Sequence, residues 1–415
     1  MALPLAALLA GCAPKAVAPP PAPAPRSGPP LAQYEPACAN EFGSNATFTV
    51  DRAALRAKGA SQAMIDSLDA SAFHYFRALG PAFASRTCAA FRDVKWHLPM
   101  VAIHGDAHLE QLVVTPATYG LEDFDQAGFG PAVVDLVRYA ASIHVACREV
   151  KWKCDADEAV NVYFKTYRDA LDRASERKVP AVVGKIRRAN PDMVEWLRWV
   201  DGLMQPLTPA DDALKRRGWA DVVTVLGKLR PDRPASFYEI VRIGALHMGI
   251  GSALESKVLI RIQGPSPLPN DDLVIEARAT TPPTGDECAW RPSHGGSLHV
   301  LMFMSILGRR MPDIYGFATF GDSGAPEHWL QSWDPGYREL SLGDLERQSD
   351  LNEVAHDAGH QLAGHFWARF PEALRAHQRV AQLRAFDLVE ARARDMAKSF
   401  ADETLVAWER FRRAK

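Results

Sequence analysis

The stretch IHGDAHLEQLVV, Ile103 to Val114, and the stretch GLEDFDQAGFGPAVVDLVRYAAS that follows it from Gly120, constrain this chain more than any other part of it. Together they set His104, Asp106 and His108, then Asp123, Asp125 and Asp135, between apolar segments. Polar groups placed that way end up beside a core, and a buried cluster of like charges is costly unless a cation offsets it. Periodicity expects a strand at Met100 to Ile103, a hairpin from Gln111 to Thr115 and Tyr119 to Phe124, and a helix opened by Pro131 and running to about Cys147. His104 to Gln111 is then a loop held between strands, a rigid base that suits catalysis or metal binding.

With 415 residues, 47% hydrophobic and 24% charged, the chain is long enough for two domains or one two-lobed fold. The formal net charge of -2, with basic residues scattered along the helices, gives no sign of a nucleic-acid partner. There is no aromatic and basic interleaving and no internal repeat.

The N-terminus reads as a separate segment. LPLAALLAGC ends in small residues before Cys12, and a Pro/Ala-rich stretch follows. It resembles a bacterial lipoprotein signal: residues 1–12 the signal, Cys12 the lipidated first residue, and residues 13–30 an extended spacer from the membrane. The apolar run is too short to span a bilayer as a helix. The expected place is therefore the cell envelope, lipid-anchored and facing the periplasm. Of the remaining cysteines, none forms a CxxC pair, so a zinc knuckle is not expected. Cys147 and Cys154 are placed to bridge, as are Cys38 and Cys88, which would leave Cys288 over; spacing alone does not fix the pairing.

HGDAHLEQ followed by DFDQAGFGPAVVDLVRYAAS resembles the bacterial family called domain of unknown function 2252, whose pattern is GDAHxxN, DFDEA and GPxxxDLxRLAAS. Both stretches also resemble the catalytic and metal-binding segments of aminoglycoside phosphotransferases and, more distantly, of protein kinases. The resemblance implies an α+β, helix-rich, kinase-like fold of two lobes, circularly permuted. The resemblance is specific over Ile103 to Ser142 and fainter through about Arg369, and the domain it implies is 31–415: a helix-rich part at 31–235 with the catalytic loop, a β-rich nucleotide lobe at 236–340, and C-terminal helices at 341–415. It makes Asp106 the base for a substrate hydroxyl and Asp123 the carboxylate that holds magnesium on ATP phosphates. His104 and Asp135 become structural braces, while Arg138 and Ser142 match the family's helix without a stated chemical role. Gln111 stands where the family has Asn, the second magnesium ligand, and magnesium tolerates little change in geometry.

The resemblance also implies a glycine turn over phosphates, here Gly249, Gly251 and Ser252 within HMGIGSALESKVLIRIQG, whose alternative reading is a plain hairpin turn. On the next strand, LVIEARA, the family's lysine position holds Ile275, which cannot neutralise phosphate; Lys257, Arg261 and Arg278 are the candidate substitutes.

Elsewhere, HDAGHQLAGH puts His356 and His360 at i,i+4 with His365 a turn further on. That spacing suits zinc but lacks the Glu of HExxH, and hydrogen-bonded histidines are the commoner case. Helical periods run through Asp157 to Lys178, Pro191 to Met204 and Asp212 to Leu229; Trp196, Trp199 and Trp219 read as core, with a cleft lining as the alternative. The tail from Pro371 reads as one long amphipathic helix or two, with Leu374, Val380, Leu383, Phe386 and Leu388 inward.

Three functions compete. The first is metal-dependent phosphoryl transfer to a hydroxyl-bearing substrate, using Mg2+ and ATP. The second is a pseudoenzyme that binds a ligand or envelope partner. The third is a metal-dependent hydrolase with His104, Asp106 and His108 as ligands.

Overall fold

The computed structural model describes residues 47–57, 60–172, 177–187, 192–246, 257–279, 284–285, 288–291, 314–319, 327–364 and 372–414. The signal and spacer with Cys12, as well as Cys38, Gly249, Gly251, Ser252 and His365, lie outside these residues.

The described residues start with helices α1 (Arg52–Ala57), α2 (Gln62–Ala70), α3 (Ala72–Arg77) and α4 (Gly80–Ala90). Strands β1 (Met100–Ile103), β2 (Leu112–Val114), β3 (Tyr119–Leu121) and β4 (Gly128–Pro131) lead into α5 (Val133–Glu149). Helices α6 (Ala156–Asp172), α7 (Ala181–Ile186), α8 (Met193–Leu203) and α9 (Pro209–Leu229) follow. Next come β5 (Ile240–Ala245), β6 (Lys257–Ile262), β7 (Leu273–Ala279), β8 (Thr284–Gly285), β9 (Trp290–Arg291), β10 (Tyr315–Thr319), β11 (Glu327–Ser332) and β12 (Arg338–Glu339). The chain closes with α10 (Gln348–Gly364) and α11 (Glu372–Arg413). The fold class is α+β, with small antiparallel sheets in the orders β1-β4-β9-β8, β10-β11-β7-β6-β5 and β12-β2-β3 among the described residues.

Helix α5 is buried nearly all round, from Val133 to Ala146, and the polar Asp135, Arg138 and Ser142 are enclosed along with its apolar residues. Around it pack Phe73 and Phe76 of α3, Tyr163 and Phe164 of α6, Val354 and Ala358 of α10, and Phe386, Val389, Ala393 and Phe400 of α11. The last set recurs at helical spacing, which is why the tail forms one helix that docks on the N-terminal helices rather than standing apart. Val380 and Leu388, expected inward, are each 51% exposed, because they fall off that stripe; the side chain of Leu374 lies outside the described residues. Helices α6 and α10 approach closely at Gly359, where an added Cβ would stand 2.5 Å from the Tyr163 carbonyl oxygen. Glu149, at the end of α5, accepts from Ser71 Oγ and from the Ala72 and Phe73 N–H groups, so it caps α3.

Sheet β5–β6–β7–β11 presents Val258, Ile260, Ile275, Ala277 and Leu330 to Trp219 and Val222 of α9. Its other face receives α8, whose Leu197, Val200 and Met204 pack on Leu259 and Val274. Trp219 is thus a core residue, its Nε1 donating to the Tyr238 carbonyl, whereas Trp196 is partly buried against the α8 cluster and Trp199 is 50% exposed against Trp333.

Two expectations are corrected. Pro131 does not open α5: it is paired opposite Met100 as the last residue of β4, and the helix begins at Val133. A proline without an N–H suits the end of a ladder as well as the start of a helix. Cys147 does bridge Cys154, but Cys88 bridges Cys288 rather than Cys38. The partner comes from the segment just before β9, which β4 recruits through the Phe129–Trp290 pair, a proximity invisible in spacing.

Candidate functional site

The β1 strand delivers the loop that follows it. Gly105 sits at φ 81°, and a Cβ there would lie 2.0 Å from the Gln126 carbonyl oxygen, so only glycine fits between His104 and Asp106. Asp135, in the first turn of α5, accepts the His104 N–H at 2.7 Å and the Gly105 N–H at 2.8 Å. A carboxylate there also suits the helix N-terminus. His104 is fully buried: Nε2 bonds the Glu122 carbonyl at 2.9 Å, Nδ1 faces the Asp106 N–H at 3.4 Å, and the ring tilts against Phe124. Burial lowers its pKa, opposed by Asp106 and Asp123. Its ring therefore ties the loop to the residue before Asp123.

Asp106 is clamped. Arg138 donates Nε at 2.9 Å and Nη2 at 2.7 Å to its Oδ1 and is itself 1% exposed. The same guanidinium donates to the Phe76 carbonyl at 3.0 Å and the Arg77 carbonyl at 3.3 Å, the last carbonyls of α3, and lies over the Phe76 and Phe83 rings. A cation at a helix C-terminus meets the negative end of its dipole. The start of α4 closes on the other side, where a Cβ on Gly80 would stand 2.8 Å from Asp106 Oδ1. Burial pushes the Asp106 carboxyl above the usual carboxylate range, Arg138 pulls it down, and Asp123 pushes it up. Asp106 Oδ2 lies 3.9 Å from Nε2 of His108, a buried ring set edge-on to Phe73 and Phe76. Burial, then Arg77 and Arg138, hold His108 well below the ordinary imidazole value, so it is neutral near pH 7. Ser142 accepts the Leu109 N–H, fixing the far side of the loop.

Asp123 is the only non-glycine residue at positive φ among those described, at 64°, and its side chain is exposed. Such a conformation in a non-glycine residue persists where its surroundings impose it. The surroundings here come from distant chain. Gln361 of α10 accepts the Leu121 N–H, and the half-buried Arg177, paired with the buried Asp357, ties that helix to the Tyr119 carbonyl. Glu122 accepts from Tyr337 Oη at 2.8 Å and from Gln331 Nε2 at 3.2 Å, and its N–H bonds the Gln111 carbonyl. Arg77 pairs with Glu110 at 2.9 Å and approaches Glu339 at 3.9 Å. Burial opposes its charge, but Glu339, Glu110 and Asp123 outweigh it and hold its pKa up. Glu339 rises in turn, by burial first and then by Asp123, with Arg77 opposing.

The structure thus brings His104, Asp106, Asp123 and Asp135 together, with Gln111 buried beside them at 4% exposure. Arg77, Arg138, Glu122, Tyr337 and Glu339 were not singled out as site residues. Arg138 alone carried a signal, its match to the family's helix pattern, with no chemical role attached to it. His356 and His360 lie on α10, and no three His, Cys, Asp or Glu groups stand as a ready-made metal cage among the described residues. Ile275 is fully buried in the α9-facing core, so a lysine at that position would point away from the loop. Arg261 donates to Asp201 and Asp272, and Lys257 and Arg278 lie further along its face.

No curated protein and no solved structure shows significant similarity to this chain. Residues 56–198, which carry Asp106, Asp123, Asp135 and Arg138, match the model of the family described as an uncharacterized protein conserved in bacteria, DUF2252, and over that stretch the chain is similar to it.

Proposed function

We propose that this is a two-lobed, kinase-like phosphotransferase fold, permuted so that the β-rich lobe follows the catalytic loop, and that it transfers a phosphoryl group to a hydroxyl. The observation that carries the reading is the convergence of Asp106 and Asp123 from two separately anchored loops, near enough that the Asp123 carboxylate adds to the burial that raises the Asp106 carboxyl. Asp123 offers one exposed carboxylate at a fixed angle, which fits a hard cation that keeps water and phosphate oxygens as its other ligands. Magnesium held there supplies charge neutralisation for the phosphates of ATP. Asp106 takes the hydroxyl proton on Oδ2, while Arg138 fixes Oδ1 and thereby the carboxylate plane. Asp135 and His104 keep the loop from drifting, which is the positioning that phosphoryl transfer depends on.

A pseudoenzyme that binds a ligand or an envelope partner is the second reading, favoured by the burial of Ile275 and by Gln111 in place of Asn. The hydrolase reading draws no support, since the His104 ring is turned inward. Calorimetry of the purified protein with Mg-ATP, alongside phosphate transfer to hydroxyl acceptors, decides among them. Transfer should vanish in Asp106→Asn with nucleotide binding retained, and magnesium-dependent binding should vanish in Asp123→Asn. Binding without transfer would favour the pseudoenzyme, and no binding would remove the phosphotransferase.

We further infer export with lipidation at Cys12, which the two disulfides support, since such bonds persist in oxidising compartments. The mature protein should fractionate with membranes and Cys12→Ser should release it; an intact first residue on a soluble wild-type protein would refute this.

A further inference from the structure

His108 is 1% exposed, yet its Nδ1 has no hydrogen-bond partner among the described residues. The ring has little freedom to find one. The His108 carbonyl accepts the Gln111 N–H at 3.0 Å, and Ser142 accepts the Leu109 N–H at 3.2 Å. The Phe73 and Phe76 rings stand edge-on to the imidazole, with centroids at 5.9 and 6.5 Å. The other ring nitrogen, Nε2, lies 3.9 Å from Asp106 Oδ2. Oδ1 of that carboxylate takes both Arg138 bonds, and the side chain keeps 16% exposure.

These contacts select one protonation state of the ring. A proton on Nδ1 would bury an N–H without an acceptor and would turn the Nε2 lone pair toward a carboxylate oxygen, so both ends of that tautomer are unfavourable. Protons on both nitrogens are opposed by burial, then by Arg77, Arg138 and His104. The remaining form carries its proton on Nε2, facing Asp106, and leaves on Nδ1 only a lone pair, the less costly group to bury unpaired. At 3.9 Å the N–H and the carboxylate attract without a hydrogen bond, and the oxygen has about 1 Å to travel before one forms. Hydrogen bonds at reaction centres commonly tighten in that way when substrate binds.

We infer that His108 is a positioning residue for phosphoryl transfer: as the Nε2–H tautomer it aims Asp106 Oδ2 at the acceptor hydroxyl while Arg138 holds Oδ1. The tautomer and its target follow from the loop; the effect on transfer rests on the phosphotransferase reading. When the acceptor O–H breaks and Oδ2–H forms, Nε2 already carries its proton and has no lone pair for another. The proton therefore leaves Asp106 through its exposed edge and not inward through His108.

Nitrogen-15 spectra of the native protein near pH 7 read the ring directly. A single neutral form protonated on Nε2 is expected, with the resonance of that proton displaced in Asp106→Asn. An Nδ1–H form, an imidazolium, or an Nε2 proton indifferent to Asp106→Asn overturns the inference. In transfer assays, His108→Leu should lower kcat by about tenfold to a hundredfold with little change in KM, the scale of a misplaced reacting group. His108→Gln, which keeps an N–H donor, should restore part of that loss. Equal kcat in the native protein and His108→Leu, or equal losses in folded Leu and Gln variants, overturns the positioning role. No transfer by the native protein removes the enzyme and not the pairing of His108 with Asp106, which the spectra then decide. The spectra need no His108 variant, so they also decide where neither variant folds.

Discussion

Replacing Arg138 by leucine should cost roughly 3–5 kcal/mol of stability near pH 7, the usual penalty for removing one partner of a buried ion pair. The side chain is 1% exposed and meets Asp106, the Phe76 and Arg77 carbonyls and two aromatic rings. Leucine fills some of the space between the rings, but it leaves the carboxylate and both carbonyls without their donor. Denaturant midpoints at constant slope measure the loss. The pH dependence identifies its source. The Asp106 carboxyl already sits above its ordinary value through burial, and without Arg138 it rises further. A carboxyl raised in the folded state binds more protons folded than unfolded, so its ionisation withdraws stability as pH climbs through the raised value. The deficit of Arg138→Leu should therefore shrink as pH falls from 7 into the acidic range. Adding Asp106→Leu should recover much of it, since an apolar pair can replace a buried ionic one. A deficit independent of pH and not relieved by the second change would mean that the rings, and not the charge, hold Arg138.

Asp135→Ala should be comparably damaging, at roughly 2–6 kcal/mol, because the His104 and Gly105 N–H groups are both buried and each is left without its acceptor. Asp135→Asn retains one carbonyl oxygen and should lose about half as much. Amide exchange at His104 and Gly105 gives a readout that general destabilisation does not, since it should accelerate there ahead of the rest of β1. Equal exchange along the whole strand in Asp135→Ala would contradict the assignment of this carboxylate to the loop.

Part of this arrangement is legible in the residues. The loop from His104 to Gln111, the hairpin after it, the glycine between His104 and Asp106, and the acid on the next helix all lie within one short stretch, where period and turn chemistry act locally. The family match covers that stretch as well. What is not legible depends on long-range approach. Arg138 finds Asp106 only because α3 and α4 bring Phe76, Arg77 and Gly80 alongside it. Tyr337 and Glu339 reach the Asp123 loop because β12 pairs with β2. The inward face of β7 depends on which side α9 covers, and alternation alone gives two equally good choices. Ile275 fell on the core side for that reason. Val380 and Leu388 show the same effect on α11, a helix of 42 residues that has apolar positions off its docking stripe.

The Cys88–Cys288 bridge spans 200 residues, whereas Cys147 and Cys154 are only 7 apart. A growing or translocating chain presents Cys38 before Cys88, and Cys147 and Cys154 soon afterwards. At roughly 5–20 residues per second, the correct partner of Cys88 arrives some 10–40 s later. Thiol exchange has that interval in which to join Cys88 to any nearer cysteine. The native pairing is thus a question of order as well as geometry: early closure of the short bridge takes Cys147 and Cys154 out of reach, and any bond to Cys38 has to be undone by exchange before Cys288 can pair.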